Sequence, residues 1–235
     1  MSDTLNDPRI AAGMRAQMEL RRRLLEGGAR QIGWKVGLGA PAMQIKCGLT
    51  APIVGFVLDR AMLSSGAAVS LAGWSKPVAE AEIAAYIGRD IPADAGPDQV
   101  RAAIAALGPA IELADADGPM DDIEAVLAGD IFQRHVILGP RDDTRAGARL
   151  EGLSARVSQS GQNVPVPADL ETNIGELIGI VRHVADVAGT VGGGLRAGEF
   201  IICGSLTPPM FLEPGERGVD YSLTPIGGVS IGFTA

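Results

Sequence analysis

The sequence predicts an α+β fold rich in strands. The chain holds 32 glycines and 15 prolines, and past residue 31 these break it into short apolar stretches of strand length. Helical periodicity is sustained over a long span only twice, at the N-terminus and near residues 172–190. With 46% hydrophobic residues over 235 positions, there is ample material for a core.

Asp7-Pro8 offers an N-cap and a first-turn proline, and Ile10, Met14, Met18 and Leu25 then recur at helical spacing until Gly27. Glycine and proline interrupt the apolar stretches from Ile32 to Leu71, as expected for strands and irregular connections. The segment "KPVAEAEIAAYIGRD" (76–90) is expected to be extended, because Pro77 disfavours helix before it and the pattern after it alternates. Gly96-Pro97 opens an expected helix carrying Val100, Ile104 and Leu107, and "MDDIEAVLAG" (120–129) a shorter one. Strands are expected over 131–138, 153–166, 199–206, 219–223 and 228–233. The long helix is placed from Thr172 or Asn173, with Glu176 completing a capping box and Ile174, Leu177, Ile178, Val181 and Val184 buried. His183 falls off that stripe and is expected at the surface. Two segments are expected to form one compact unit, an N-terminal helix and lysine motif over 1–65 packed on a β-rich catalytic domain over 66–235.

A formal charge of −8 and a pI near 4.8 argue against binding to nucleic acid or to an anionic membrane. No run of about 18 apolar residues and no cationic leader is present, so a soluble, unprocessed, cytoplasmic protein is expected. Cys47 and Cys203 stand far apart without metal-binding spacing and are expected to be buried thiols.

Chemistry concentrates elsewhere. In a strand, side chains two apart point the same way, so Glu80 and Glu82 project from one face about 6.5 to 7 Å apart at their backbones. On a helix they would diverge by about 200 degrees. Glu112 lies in "GPAIELADAD" among apolar neighbours, where an unpaired carboxylate would be costly. Three carboxylates make a hard site suited to Mg²⁺ or Mn²⁺. Lys35, one of only three lysines, lies in "GWKVGLGA" with Gly33 and Gly37 on its own strand face, an arrangement expected to leave clearance for a ligand.

Five motifs in order, "GWKVGL" with the following "AMQ", "KPVAEAEIAAYIGRD", "PAIELADAD" and "LRAGEFIICGSLT", resemble the hydratase and decarboxylase branch of the fumarylacetoacetate hydrolase superfamily. The resemblance runs from about residue 31 to the C-terminus. It implies a mixed β-sandwich or roll, a homo-oligomer, and Mg²⁺ or Mn²⁺ held by Glu80, Glu82 and Glu112. It also implies a small 2-keto acid substrate or its enol, with Lys35 beside it and Ser205 and Thr207 as substrate-binding residues. Three carboxylates and a substrate carboxylate sum to about four negative charges against two on the ion, and Lys35 supplies the further cation a low-dielectric site needs.

The chain departs from the family pattern at the groups that move protons. Gly39-Ala40 replace two hydroxyl residues, and Ile53 stands in "APIVG" where relatives carry an aspartate. The segment "DIFQRHVILG" (130–139) introduces Arg134 and His135, and His135 is the expected replacement acid or base, with Asp59 and Asp115 as weaker candidates. The expected activity is therefore a metal-dependent lyase, a hydratase of 2-hydroxypenta-2,4-dienoate type. The alternatives are decarboxylation, C–C hydrolysis, or a non-catalytic partner subunit of an active relative.

Overall fold

A computed structural model describes residues 6–234. Helix α1 (Pro8–Glu26) begins where Asp7 accepts the Arg9 N–H at 2.9 Å and ends at Gly27, as the sequence predicts. It buries Ile10, Met14 and Gln17 and packs on α4 (Ile123–Ala128). The contact needs glycine at one point: a Cβ on Gly13 would lie 2.7 Å from Leu127 Cβ.

Two sheets follow. The larger, eight-stranded among the described residues, runs β2 (Ile53–Leu58), β1 (Gln31–Gly37), β10 (Phe200–Ser205), β5 (Pro77–Ile87), β6 (Ile104–Asp115), β7 (Gln133–Leu138) and β3 (Met62–Leu63). The short β11 (Met210–Phe211) also pairs with β5. The smaller, five-stranded, runs β4 (Ala68–Ser70), β13 (Gly227–Thr234), β12 (Gly218–Thr224), β8 (Ser154–Gln159) and β9 (Gln162–Val164). β12 and β13 pack against β6. The segment before residue 65 thus supplies β1, β2 and β3 of the larger sheet.

The long antiparallel pair β5–β6 is the centre of the molecule. Ala81, Ile83 and Ala85, with Ile111 and Leu113, belong to the main core, which takes in Val219, Leu223 and Ile231 of the smaller sheet. The intervening residues Ala84 and Ala110 join Val57, Val136, Phe200 and Ile202 in a separate cluster. Burial on both faces explains why apolar and small residues crowd these strands.

Four local expectations are corrected. The helix at Pro97 is α3 (Pro97–Ala103) and stops before Ile104; Ile104 and Leu107 instead lie in β6, paired with Ile87 and Ala85. Sheet pairing overrides the helical spacing there. Helix α5 spans Leu177–Thr190 and starts later than Thr172, because Gly175 takes φ +85° and turns the chain before the helix begins. Its cap is the Glu171 carboxylate, which accepts the Leu177 N–H at 2.8 Å, and Glu176 makes no capping bond. His183 is half-buried, and its Nε2 lies 2.8 Å from Pro52 O, which places the proton on Nε2 because a carbonyl only accepts. Finally, the short helix α2 (Pro41–Cys47) occupies a stretch expected to be strand or irregular, with Pro41 in its first turn and Gly48 closing it at φ +64°. Cys47 and Cys203 are free and buried.

Candidate metal centre

Register brings the acids together. Glu80 pairs with Glu112 across β5–β6, and Glu82 shares the face of Glu80 by strand alternation. One carboxylate oxygen from each lies within 4.8 Å of the others. Glu82 and Glu112 are each 1% exposed, and Glu80 is half-buried.

Lys35 reaches the same face from β1, paired with Ile202, which is paired in turn with Ala84 of β5. It is 2% exposed; its Nζ donates to Glu112 Oε1 and, at 3.2 Å, to the Ile131 carbonyl. The flanking glycines do not hold open space. A Cβ on Gly33 would meet Phe200 O at 2.5 Å, and one on Gly37 would meet Ile131 Cγ2 at 2.6 Å. They admit the neighbouring strand and the Ile131 side chain, so the clearance expected for a ligand is filled by protein.

Charge and burial act together on these groups. Burial first, then Glu112, pushes Glu80 up to about 7. Burial, with Glu112 and Glu80, holds Glu82 well above the usual carboxylate range, and burial raises Glu112 against the pull of Lys35. For Lys35 burial acts downward, but the Glu112 carboxylate, with Asp130 and Glu80, outweighs it and holds the ammonium above its ordinary value. Crowded acids favour their neutral forms, and a nearby dication reverses that preference.

Unpaired buried atoms point the same way. Glu82 Oε1, Glu112 Oε2, Ser205 Oγ and Thr207 Oγ1 are buried without a hydrogen-bond partner. Such atoms normally find one, in protein, water or an ion. The donor set is all oxygen and fits a hard divalent cation such as Mg²⁺ or Mn²⁺. Glu82 Oε2 is held by the Gly204 N–H at 2.6 Å. Gly204 takes φ +97° at the irregularity that breaks β10 pairing between Ile202 and Ser205, a conformation glycine adopts without strain. Ser205 pairs with Glu82, and the next residue, Leu206, donates its N–H to the Ala81 carbonyl at 2.8 Å, so the start of "GSLT" runs along β5 beside the acids.

His135 is not brought to this face. Glu112 pairs with Val136 and Leu113 with His135, so the imidazole shares the side of Leu113 and lies 6.1 Å from the Trp74 ring. Burial lowers its pKa, and Nδ1 is buried without a partner. Asp59 and Asp115 are spent on backbone: Asp59 accepts the Arg30 and Arg60 N–H groups, and Asp115 those of Ser75 and Lys76 at 3.0 and 2.7 Å, anchoring the start of β5. Ile53 is buried opposite Gly37, an apolar residue on the lysine face. Sequence reasoning missed Asp130, a buried acid whose Oδ1 accepts the Phe56 N–H at 3.0 Å and which is close enough to raise Lys35. The signal was present in "AGDIF", since the argument applied to Glu112, an acid among apolar neighbours, applies equally there.

The family description "Fumarylacetoacetate (FAA) hydrolase C-terminal" matches residues 38–231, well over half of the chain. The chain belongs to the fumarylacetoacetate hydrolase family. Within this family it is 30% identical over 218 residues to the 2-hydroxyhexa-2,4-dienoate hydratase of Comamonas testosteroni, covering 88% of this chain and 80% of that one. It is 27% identical over 223 residues to the 4-oxalocrotonate decarboxylase of Pseudomonas putida, covering 92% and 83%. Among solved structures, the 4-oxalocrotonate decarboxylase of Pseudomonas putida G7 complexed with magnesium and adipate superposes with a TM-score of 0.86 at 24% identity, over 100% of this chain and 90% of that one. The fumarylpyruvate hydrolase of Pseudomonas aeruginosa in complex with Mn²⁺ and pyruvate gives 0.70 at 17%, over 87% and 89%. These likenesses establish the fumarylacetoacetate hydrolase fold. The family match opens at residue 38, just past Lys35, so the lysine's place beside the acids rests on the geometry above.

Proposed function

We propose that the chain is a divalent-metal-dependent lyase that hydrates a small 2-hydroxydienoate, the enol of a 2-keto acid, with Glu80, Glu82 and Glu112 holding Mg²⁺ or Mn²⁺. The observation that carries this reading is the convergence of three carboxylates and one ammonium on a single buried sheet face. When bound, the cation supplies Lewis acidity toward the carboxylate and 2-oxygen of the acid.

The chain's own residues supply the rest. Gly204 N–H fixes one oxygen of Glu82 and leaves the other turned to the cluster. Lys35 offers an ammonium that attracts the substrate carboxylate and steadies negative charge at the 2-oxygen. Ser205 and Thr207 bring unpartnered hydroxyls for the substrate's polar atoms. Buried apolar neighbours such as Val136 and Ile202 lower the local dielectric, which strengthens each of these interactions. The names of the relatives support hydration and decarboxylation alike, and both pass through the same enolate. The same reading carries a homo-oligomer acting in the cytoplasm, the first of which sedimentation of the purified protein tests. Among the described residues no helix is long and apolar enough to cross a membrane.

The test is turnover of 2-hydroxypenta-2,4-dienoate and of a 2-oxo-3-enedioate, with and without EDTA. Loss of diene absorbance that EDTA and Glu82→Gln both abolish is expected. Release of CO₂ from the dioate without water addition to the dienoate would reassign the chain to decarboxylation. Ile53 favours one reading of another class, a non-catalytic partner subunit, which binds metal and oxalate yet turns over neither compound.

A further inference from the structure

Asp130, Ile131 and Phe132 lie in succession in left-handed backbone, with φ of 55°, 55° and 61°. Non-glycine residues enter this region at a cost, β-branched ones least readily, and seldom in runs. Such a run persists only where its surroundings hold it. Here the holding contacts are specific. The Asp130 and Ile131 N–H groups donate to Leu127 and Val126 of α4, and Asp130 Oδ1 accepts the Phe56 N–H of β2 at 3.0 Å. The Ile131 carbonyl, turned back by the left-handed backbone, accepts from Lys35 Nζ at 3.2 Å.

Gly55 makes room for the arrangement. It is the β2 partner of Lys35, and a Cβ there would lie 2.7 Å from Asp130 Oδ1 and 3.0 Å from Lys35 Cγ. The Asp130 carboxyl therefore lies alongside the lysine stem, in space that only glycine leaves free. An ammonium has three donors in a fixed tetrahedral arrangement. Glu112 and Ile131 O take two, and with both acceptors in place the direction of the third is determined. Without the carbonyl, Glu112 alone holds the ammonium, and the lysine stem can swing about that single contact.

We propose that the turn over 130–132 is a clamp that aims Lys35, and that Asp130 is the positioning residue that seats it, acting through the Ile131 carbonyl. The inference rests on the reading of Lys35 and the three glutamates as a metal-dependent keto-acid site. Burial, assisted by Glu112, holds Asp130 well above the usual carboxylate range against the pull of Lys35. Asparagine keeps a side-chain oxygen for the Phe56 N–H and is the close isosteric substitute.

The experiment uses the full chain loaded with Mn²⁺ and oxalate as the probe, with affinity measured by calorimetry and folding followed by thermal melts. D130A is expected to weaken oxalate by about tenfold to a hundredfold, the scale of a slightly misplaced group, while Mn²⁺ affinity holds. D130N, which keeps the acceptor for Phe56, restores most of the loss. In a K35M background D130A has no further effect, because residues acting as one unit are not additive. G55A, which displaces the carboxyl or the lysine stem, weakens oxalate in the same way and serves if D130A does not fold. Oxalate binding by D130A and G55A at the wild-type level, or D130A and K35M effects that add, overturns the clamp and leaves the proposed function standing. Wild-type protein that binds neither Mn²⁺ nor oxalate overturns both.

Discussion

The two faces of β5 are built from alternate residues of one strand, yet they do opposite things. Ala81, Ile83 and Ala85 enter the main core, whereas Glu80 and Glu82 face Glu112 and the lysine. On the first face burial stabilises the fold by removing apolar area from water. On the second it crowds carboxylates that raise one another's pKa, which costs stability until a cation arrives. A single strand thus separates folding from chemistry by the direction of its side chains, and that separation can be tested residue by residue.

The largest effect is expected from breaking the one ion pair on the acidic face. Glu112→Leu removes the carboxylate that Lys35 donates to, leaving it only the fields of Asp130 and Glu80, a loss of about 3 to 5 kcal/mol for a broken buried pair. Urea unfolding of the metal-free protein measures it, and Mn²⁺ binding should vanish as well. Glu82→Gln is the contrast. It removes a charge crowded by Glu112 and Glu80 while keeping an oxygen for the Gly204 N–H, so metal-free stability should hold or rise while Mn²⁺ binding is equally lost. Equal destabilisation by the two changes would show that the lysine pair contributes nothing particular.

The next effect is a pH dependence. Glu80 in the folded protein is raised from 4.5 to about 7, so it binds its proton more tightly folded than unfolded. Its contribution to metal-free stability is therefore fully present below about 4.5 and is lost as pH rises through about 7. The difference in melting temperature between wild type and Glu80→Gln isolates this from aspartates such as Asp59 and Asp115, whose lowered pKa values act in the opposite direction. Wild type should lose ground to the variant as pH rises across that window, and saturating Mn²⁺ should reverse the trend. A pH-independent difference would remove the crowding argument.

How much of this was legible depended on whether one strand or two had to be known. Alternation within a strand exposed Glu80 with Glu82, and burial cost singled out Glu112; both are properties of a local stretch. The register that sets Glu112 opposite Glu80 belongs to the pairing and cannot be read from either strand alone. The side His135 takes depends on that pairing: its alternation against Val136 and Leu138 is visible in the sequence, but not which of the two sides meets the glutamates. The Asp130–Phe132 turn was hidden in a stronger sense, because isoleucine and phenylalanine argue locally against the conformation they adopt. Contacts from β1 and β2 override that preference.

A smaller effect is expected on the apolar face itself. Ile111→Val removes one buried methyl group and should cost about 0.5 to 1.5 kcal/mol, with oxalate and metal affinity per folded molecule unchanged. Coupled loss of affinity would mean that the two faces are not independent.

The smallest effect separates the two sides most sharply. His135 lies on the side of Leu113, against Trp74, while Val136 occupies the position opposite Glu112. A positioned general acid or base contributes about 10²- to 10⁴-fold, so a catalytic His135 would show itself plainly on removal. His135→Phe keeps an aromatic ring against Trp74 and should leave turnover and the pH profile close to wild type. Its lowered pKa follows first from burial, which requires no catalytic role. A drop of the size quoted for an acid or base, with the fold intact, would mean that the imidazole reaches the reacting carbon and that the register argument for this strand fails.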